Sequence, residues 1–142
     1  MTTEKEIVDP EAALKFLLAG HARVTLRSLK TGTHYSYKVH RPVDSFVHFV
    51  SVLDGPDNTS DYSYIGFIRR GKEYVWGGRN SKKGDDAPSN QAFAWAFRKL
   101  VEGEISPKLQ VWHEGRCGRC GRVLTNPQSI LTGLGPVCAT LR

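Results

Sequence analysis

Residues 23–40 read R-V-T-L-R-S-L-K-T-G-T-H-Y-S-Y-K-V-H. Val24 and Leu26 alternate with Arg23, Thr25 and Arg27, the period of two that belongs to a strand with one face buried. Lys30 to Thr33 carries Thr31-Gly32, a hairpin turn signal, because glycine supplies the positive φ such turns need. Beyond it Tyr35, Tyr37 and Val39 alternate with His34, Ser36, Lys38 and His40. The pattern predicts a β-hairpin with one apolar face and one polar, basic face. That commits the body of the chain to an antiparallel sheet.

Upstream, Asp9-Pro10-Glu11 announces a helix. Asp9 is the N-cap, Pro10 suits the first helical position, and Glu11 lies in the first turn. Leu14, Leu17 and Leu18 form its expected apolar stripe, with Phe16 on a second line, and Gly20 ends it. Residues 1–8 are expected to be a loose, acidic lead-in. Downstream, Pro42 breaks the pattern. Phe46 to Leu53 is more continuously apolar and predicts a central strand. Asp54 to Asp61, D-G-P-D-N-T-S-D, is dense in turn formers and predicts an exposed loop. Tyr62 to Arg69 is a fourth strand and Glu73 to Trp76 a short fifth. Ser89 is expected to cap a second helix running to about Glu102. Phe93, Phe97, Leu100 and Val101 stand at helical spacing for the core, and Trp95 faces another side. Gly103 ends that helix, and Leu109 to Trp112 forms a short strand that delivers His113.

The tail, residues 112–138, holds every cysteine of the chain: Cys117, Cys120 and Cys138. The first two are spaced C-x2-C, Cys138 follows Cys120 after 17 intervening residues, and three residues separate His113 from Cys117. Three thiolates and one imidazole make a tetrahedral zinc set with no open position. Gly118 and Gly121 leave room for a tight knuckle around the first pair. Arg119 and Arg122 offset the negative charge of three thiolates, and Pro136 starts a short helix carrying Cys138. The expected shape is treble-clef-like or zinc-ribbon-like. Other readings stay open: a redox C-x-x-C pair, a disulfide, or a fourth ligand from another histidine or water. No βαβ unit surrounds the pair, and three cysteines are an odd number for disulfides. The H-x-E…P-C-x-x-C pattern of zinc deaminases is not met.

The run Cys117 to Cys138 resembles the C-terminal motif of a family of uncharacterised phage and actinobacterial proteins, C-x-x-C-G-R-x-L-T-x-P-x-S-x-x-x-G-x-G-P-x-C. Cys117, Cys120, Gly121, Arg122, Leu124, Thr125, Pro127, Ser129, Gly133, Gly135, Pro136 and Cys138 carry the likeness. W-H-E-G-R, S-D-Y-S-Y and F-A-W-A-F extend it upstream, over most of residues 22–142. The resemblance implies a zinc tip and a mobile-element origin. It implies no activity.

The expected fold class is therefore α+β: an N-terminal helix, an antiparallel sheet of about five strands, a second helix, and the metal-binding tip. Residues 1–108 form the body and 109–142 the tip, packed together as one folding unit. At 142 residues this is one domain with room for a core. Nothing approaches the ~18 apolar residues of a membrane span, so no membrane partner is expected. The acidic N-terminus lacks an apolar signal core, and a cytoplasmic setting is expected, that of the host cell if the chain is phage-encoded.

The net charge is +6, which admits nucleic acid or an acidic protein as partner. Between Arg69 and Lys83 six basic residues, Arg69, Arg70, Lys72, Arg79, Lys82 and Lys83, face one acid, Glu73. The Gly77-Gly78 pair is expected to make this loop mobile. Arg116, Arg119 and Arg122 surround the knuckle. Tyr35, Tyr62, Tyr64, Trp76 and Trp112 are aromatics available for stacking. The first reading is a zinc-stabilised protein contacting nucleic acid through the basic loop and the tip arginines. The alternative is a phage accessory protein that binds and inhibits a host defence protein. A zinc nuclease ranks below both: a closed ligand set leaves no catalytic position, and no nucleophile has an evident base. No enzyme activity is expected. Convergence of Asp57, Asp61, His34, His40 and His48 in three dimensions stays open at the level of sequence.

Overall fold

A computed structural model describes residues 6–55 and 61–113. In chain order the elements are α1 (Pro10–Leu17), β1 (His21–Ser28), β2 (His34–His40), β3 (Val47–Leu53), β4 (Tyr62–Arg69), β5 (Glu73–Trp76), a 3-10 turn (Gly78–Asn80), α2 (Pro88–Val101) and β6 (Leu109–His113). The class is α+β.

The strands make one antiparallel sheet in the order β5-β4-β3-β2-β1-β6. β1 to β5 are a meander, each strand pairing with the one before it. The sixth strand joins at the far edge, beside β1, so the chain must cross the whole sheet to reach it, and α2 makes that crossing. The sheet therefore has six strands rather than about five. Leu109–His113, grouped by sequence with the tip, is an integral edge strand paired with β1 from Val24↔His113 to Ser28↔Leu109.

Both helices lie on one face. Phe16 and Leu17 of α1 and Phe93, Ala96, Phe97 and Leu100 of α2 join Val24, Leu26, Tyr37, Val39, Val50, Val52, Ile65, Ile68 and Val111 of the strands in one buried core. The β1–β2 alternation is as expected: Ala22, Val24 and Leu26, then Tyr37 and Val39, are buried. The hairpin turn holds Gly32 at φ 76 and closes with Ser28 N–H donating to Thr33 O at 2.8 Å.

Several local expectations change. Asp9 does cap α1, accepting from Ala12 N–H at 3.0 Å. But the buried stripe is Ala13, Phe16 and Leu17, with Leu14 and Leu18 only flanking it. The helix packs against both β1 and α2, and the face at positions 13, 16 and 17 is the one that contact buries. α2 starts with Pro88 at its first turn and Ala87 at the cap position. Ser89 is instead buried inside the helix, where its carbonyl accepts from Tyr37 O–H at 2.6 Å. Val101 is 38% exposed rather than core. β3 alternates like its neighbours. His48, Val50 and Val52 are buried while Phe49 is 39% exposed, and Phe46, outside the strand, is 91% exposed. Its apolar run marks two surfaces, not a strand buried on both. The lead-in is not wholly loose either. Ile7 is buried, its N–H donates to Val111 O at 2.7 Å, and Glu6 bridges to Trp112. An edge strand with unpaired backbone groups recruits such a segment. The exposed loop expected at Asp54–Asp61 is closed at its base by Asp54 N–H donating to Asp61 O at 2.9 Å.

Candidate nucleic-acid interface

Because side chains alternate across a strand, every residue that faces away from the helices follows from the register. Among the described residues, no helix covers this second face. Its rows run across the strands. One row is His21, His40, Phe49, Phe67 and Val75; the next is Arg23, Lys38, Ser51 and Tyr64. A third places Trp112 beside Thr25 and Ser36. Leu53 pairs with Tyr62 at the same level of the next pair. Arg27 lies between Gln110 and His34.

This face combines cations with aromatic rings. The Arg23 guanidinium lies 6.0 Å from the centroid of Tyr62 and the Lys38 ammonium 5.9 Å from it, at the outer reach of a cation–π contact. Phe49 and Tyr64 meet edge to face at 6.1 Å, and His21 and His40 lie 5.0 Å apart. Burial, the neighbouring His40 and Lys38 hold His21 below its ordinary value, so its imidazole is biased neutral. Thr25 and Ser36 hydroxyls bond each other at 2.7 Å. The carboxylates of Asp54 and Asp61 sit toward the Tyr62 end, where Lys83 pairs with Asp54 at 3.7 Å.

The basic residues named from sequence do not form one patch. Arg69 closes β4, and Arg70 and Lys72 sit on the β4–β5 turn, with Arg70 at φ 57 and Gly71 at φ 64. Arg79, Lys82 and Lys83 follow β5, at its other end. Four strand residues at about 3.3 Å each separate the two groups by more than 10 Å. Arg69 is tied to Glu73 at 2.6 Å. Nor is the glycine-rich loop slack. Gly77 N–H donates to Ile65 O at 2.9 Å and Lys82 N–H to Tyr64 O at 2.8 Å, while Trp76 Nε1–H donates to Lys83 O at 3.0 Å. A Cβ on Gly77 would come within 2.6 Å of the Tyr64 ring, so this glycine serves close packing rather than motion.

The aromatic candidates also divide. Tyr35 lies on the helix side, packed against the core beside Tyr37. Tyr62, Tyr64 and Trp112 are half-buried on the helix-free side, and Trp76 is 37% exposed at the sheet edge. The residues missed from sequence are Arg23, Lys38 and Phe49 as a group. The alternation of β1 and β2 already marked the first two as facing away from the core. Phe49 was hidden by counting its strand as apolar on both sides.

Of the proposed zinc ligands only His113 lies among the described residues; Cys117, Cys120 and Cys138 lie outside them, as do Arg116, Arg119 and Arg122. His113 ends β6 on the helix side, 2% exposed, with its ring 5.9 Å from that of Phe16. No group of three or more metal-binding side chains occurs among the described residues. His34 and His40 stand at opposite ends of β2, and His48 points the other way, toward α1, where its Nε2–H donates to Leu18 O at 3.0 Å. The histidines considered for a catalytic cluster are thus apart. No helix among the described residues is long and apolar enough to cross a membrane.

Residues 110–142 match a protein family described as a family of unknown function, DUF6011. The match starts in β6 and runs through the cysteine segment. No curated protein shows a significant match, and no solved structure does.

Proposed function

We propose that this chain is a zinc-stabilised binding protein whose partner is nucleic acid, held on the helix-free face of the sheet. The observation that carries this reading is the arrangement of Arg23, Lys38, Tyr62, Tyr64 and Phe49 on that face. Cations there take phosphates, and flat rings take bases. Stacking is worth about 1–3 kcal/mol per base and is indifferent to sequence. The net charge of +6 adds a long-range attraction for a polyanion.

In this reading zinc is held by Cys117, Cys120, Cys138 and His113, and a closed set of four makes it a structural staple rather than a catalyst. His113 anchors the tip to β6, the strand that also carries Trp112. The arginines Arg116, Arg119 and Arg122 then extend the basic surface. The likeness of the cysteine segment to phage and actinobacterial sequences supports an origin on a mobile element.

The test is fluorescence anisotropy with a labelled single-stranded 20-mer. Wild type binds at low salt, and Arg23→Ala with Lys38→Ala weakens binding by about tenfold, since charge-assisted contacts are worth about 1.5 kcal/mol or more. Absence of wild-type binding, or a double variant equal to wild type, contradicts the proposal.

A second reading, an inhibitor of a host defence protein, draws on α2. Trp95 and Val101 are each 38% exposed on its outer side and line a groove with Lys72 and Arg98. A stoichiometric protein band on co-purification, with no nuclease-sensitive absorbance, favours that reading.

A further inference from the structure

Three of the exposed large apolar side chains fall within seven residues of one another: Val43 and Phe46, each 91% exposed, and Phe49 at 39%. Val43 and Phe46 sit on the β2–β3 loop, which is tightly tied. Ser45 N–H donates to Pro42 O at 3.1 Å and Val47 N–H to Ser45 Oγ at 3.0 Å. Arg41 N–H donates to Gly20 O at 3.0 Å, and Arg41 Nη1–H reaches Ser45 O at 3.3 Å. Asp44 takes φ 64 to close the turn. A phenylalanine left in water forgoes the free energy of burying its ring. Here an ordered turn holds it there.

The surroundings are cationic. Val47 pairs with Arg69, so Phe46 stands one residue beyond the strand end, beside the β4–β5 turn that carries Arg70 and Lys72. Arg41 belongs to the loop itself. The acids near this end are Asp44, Glu73 and, across the groove from Lys72, Glu102; Arg69 engages Glu73 at 2.6 Å, and Lys99 lies 3.8 Å from Glu102. Phe46 lines one hollow with His21 and Arg41; His21 lies against His40, and His40 pairs with Phe49, which is seated edge to face on Tyr64.

We propose that the β2–β3 loop is a stacking wedge, with Phe46 and Phe49 receiving unstacked bases of a single strand and Arg41, Arg70 and Lys72 holding its phosphates. This rests on the nucleic-acid reading above and adds where on the molecule the bases go. A lipid surface would use the protruding Val43 and Phe46 and the cations, but not the flat ledge of rings behind them. A single strand uses both, since each base offers a face for stacking and each linkage an anion.

The experiment uses the full chain and a single-stranded oligothymidylate carrying one 2-aminopurine, read by anisotropy and by base fluorescence. Phe46→Ser weakens binding about fivefold or more, the equivalent of one lost stacked base. It also removes the 2-aminopurine quenching, and it leaves thermal melting unchanged because the ring touches little in the free protein. Phe46→Trp restores both signals. If Phe46→Ser binds and quenches like wild type while Arg23→Ala with Lys38→Ala is weakened, the wedge is wrong and the broader reading stands. If wild type binds no oligonucleotide, both fall. Capture of wild type, but not Phe46→Ser, by phosphatidylserine vesicles with oligonucleotide affinity unaltered assigns the loop to a lipid surface and overturns the proposal.

Discussion

Tyr37 shows what a single side chain contributes to this fold. It sits at the centre of β2, fully buried, its ring 5.0 Å from Phe93. Its hydroxyl donates to Ser89 O at 2.6 Å. Burial pushes its ionisation far above the ordinary tyrosine value, so it remains a neutral donor at any working pH. Tyr37→Phe keeps the packing and loses the bond, and chemical denaturation should show a loss of about 1 kcal/mol. His48 makes the chain sensitive to acid. Burial, with Arg41 adding to it, holds its imidazole below the ordinary 6.5, against a smaller opposing pull from the Leu18 carbonyl. Its Nδ1 is buried and has no hydrogen-bond partner, so a proton there would be an unpaired buried donor. The unfolded chain binds that proton more readily than the folded one. Stability from His48 is therefore complete above about pH 6.5 and falls as pH drops through that value. Denaturation midpoints measured from pH 7.5 to 5 should decline, and His48→Gln should flatten the decline. The alternation of β2 put Tyr37 on the apolar face, but its bond to Ser89, 52 residues away, was not legible, nor was the side taken by His48, whose strand read as apolar throughout.

At the level of elements, local chemistry was a good guide where it is self-contained. Asp9-Pro10 fixed the start of α1, Thr31-Gly32 the first hairpin, and Gly103, at φ 86, the end of α2. Asp9→Ala should cost about 1 kcal/mol by thermal or denaturant melting, the usual loss of a helix cap. What local chemistry could not carry was partnership at a distance. β6 pairs with β1 across most of the chain length, and only the register reveals that His113 takes the helix side and Trp112 the other. The same holds for Gly66, which sequence reading passed over. A Cβ there would come within 2.5 Å of Val75 O and 2.6 Å of Tyr74 Oη. That tyrosine is itself fixed by Asn90 at 2.6 Å. Gly66→Ala therefore forces β4 and β5 apart, and a loss of about 1–3 kcal/mol is expected, as for other overpacked sites.

For the whole molecule, the division of labour is between the two sides of one sheet. The helix side holds the core. The other side carries Arg23, Lys38 and the rings around them, flanked by the β2–β3 loop. The basic residues that sequence gathered into one loop separate in three dimensions, because a strand stands between them, whereas residues far apart in sequence share the helix-free face through antiparallel pairing. If zinc binds as proposed, its apparent binding free energy of about 10–16 kcal/mol is folding free energy for the tip. Cys120→Ser, or chelation of wild type, should then abolish a one-equivalent zinc signal in elemental analysis and sharply lower the melting temperature.

The most direct measurement is the salt dependence of oligonucleotide affinity for the wild-type chain. Single strands give a slope of log K against log salt of about −0.7 for each phosphate neutralised, so contacts from Arg23, Lys38, Arg41, Arg70 and Lys72 predict a slope of about −3.5. A flat line, or no binding at the lowest salt, would contradict a nucleic-acid face on this sheet.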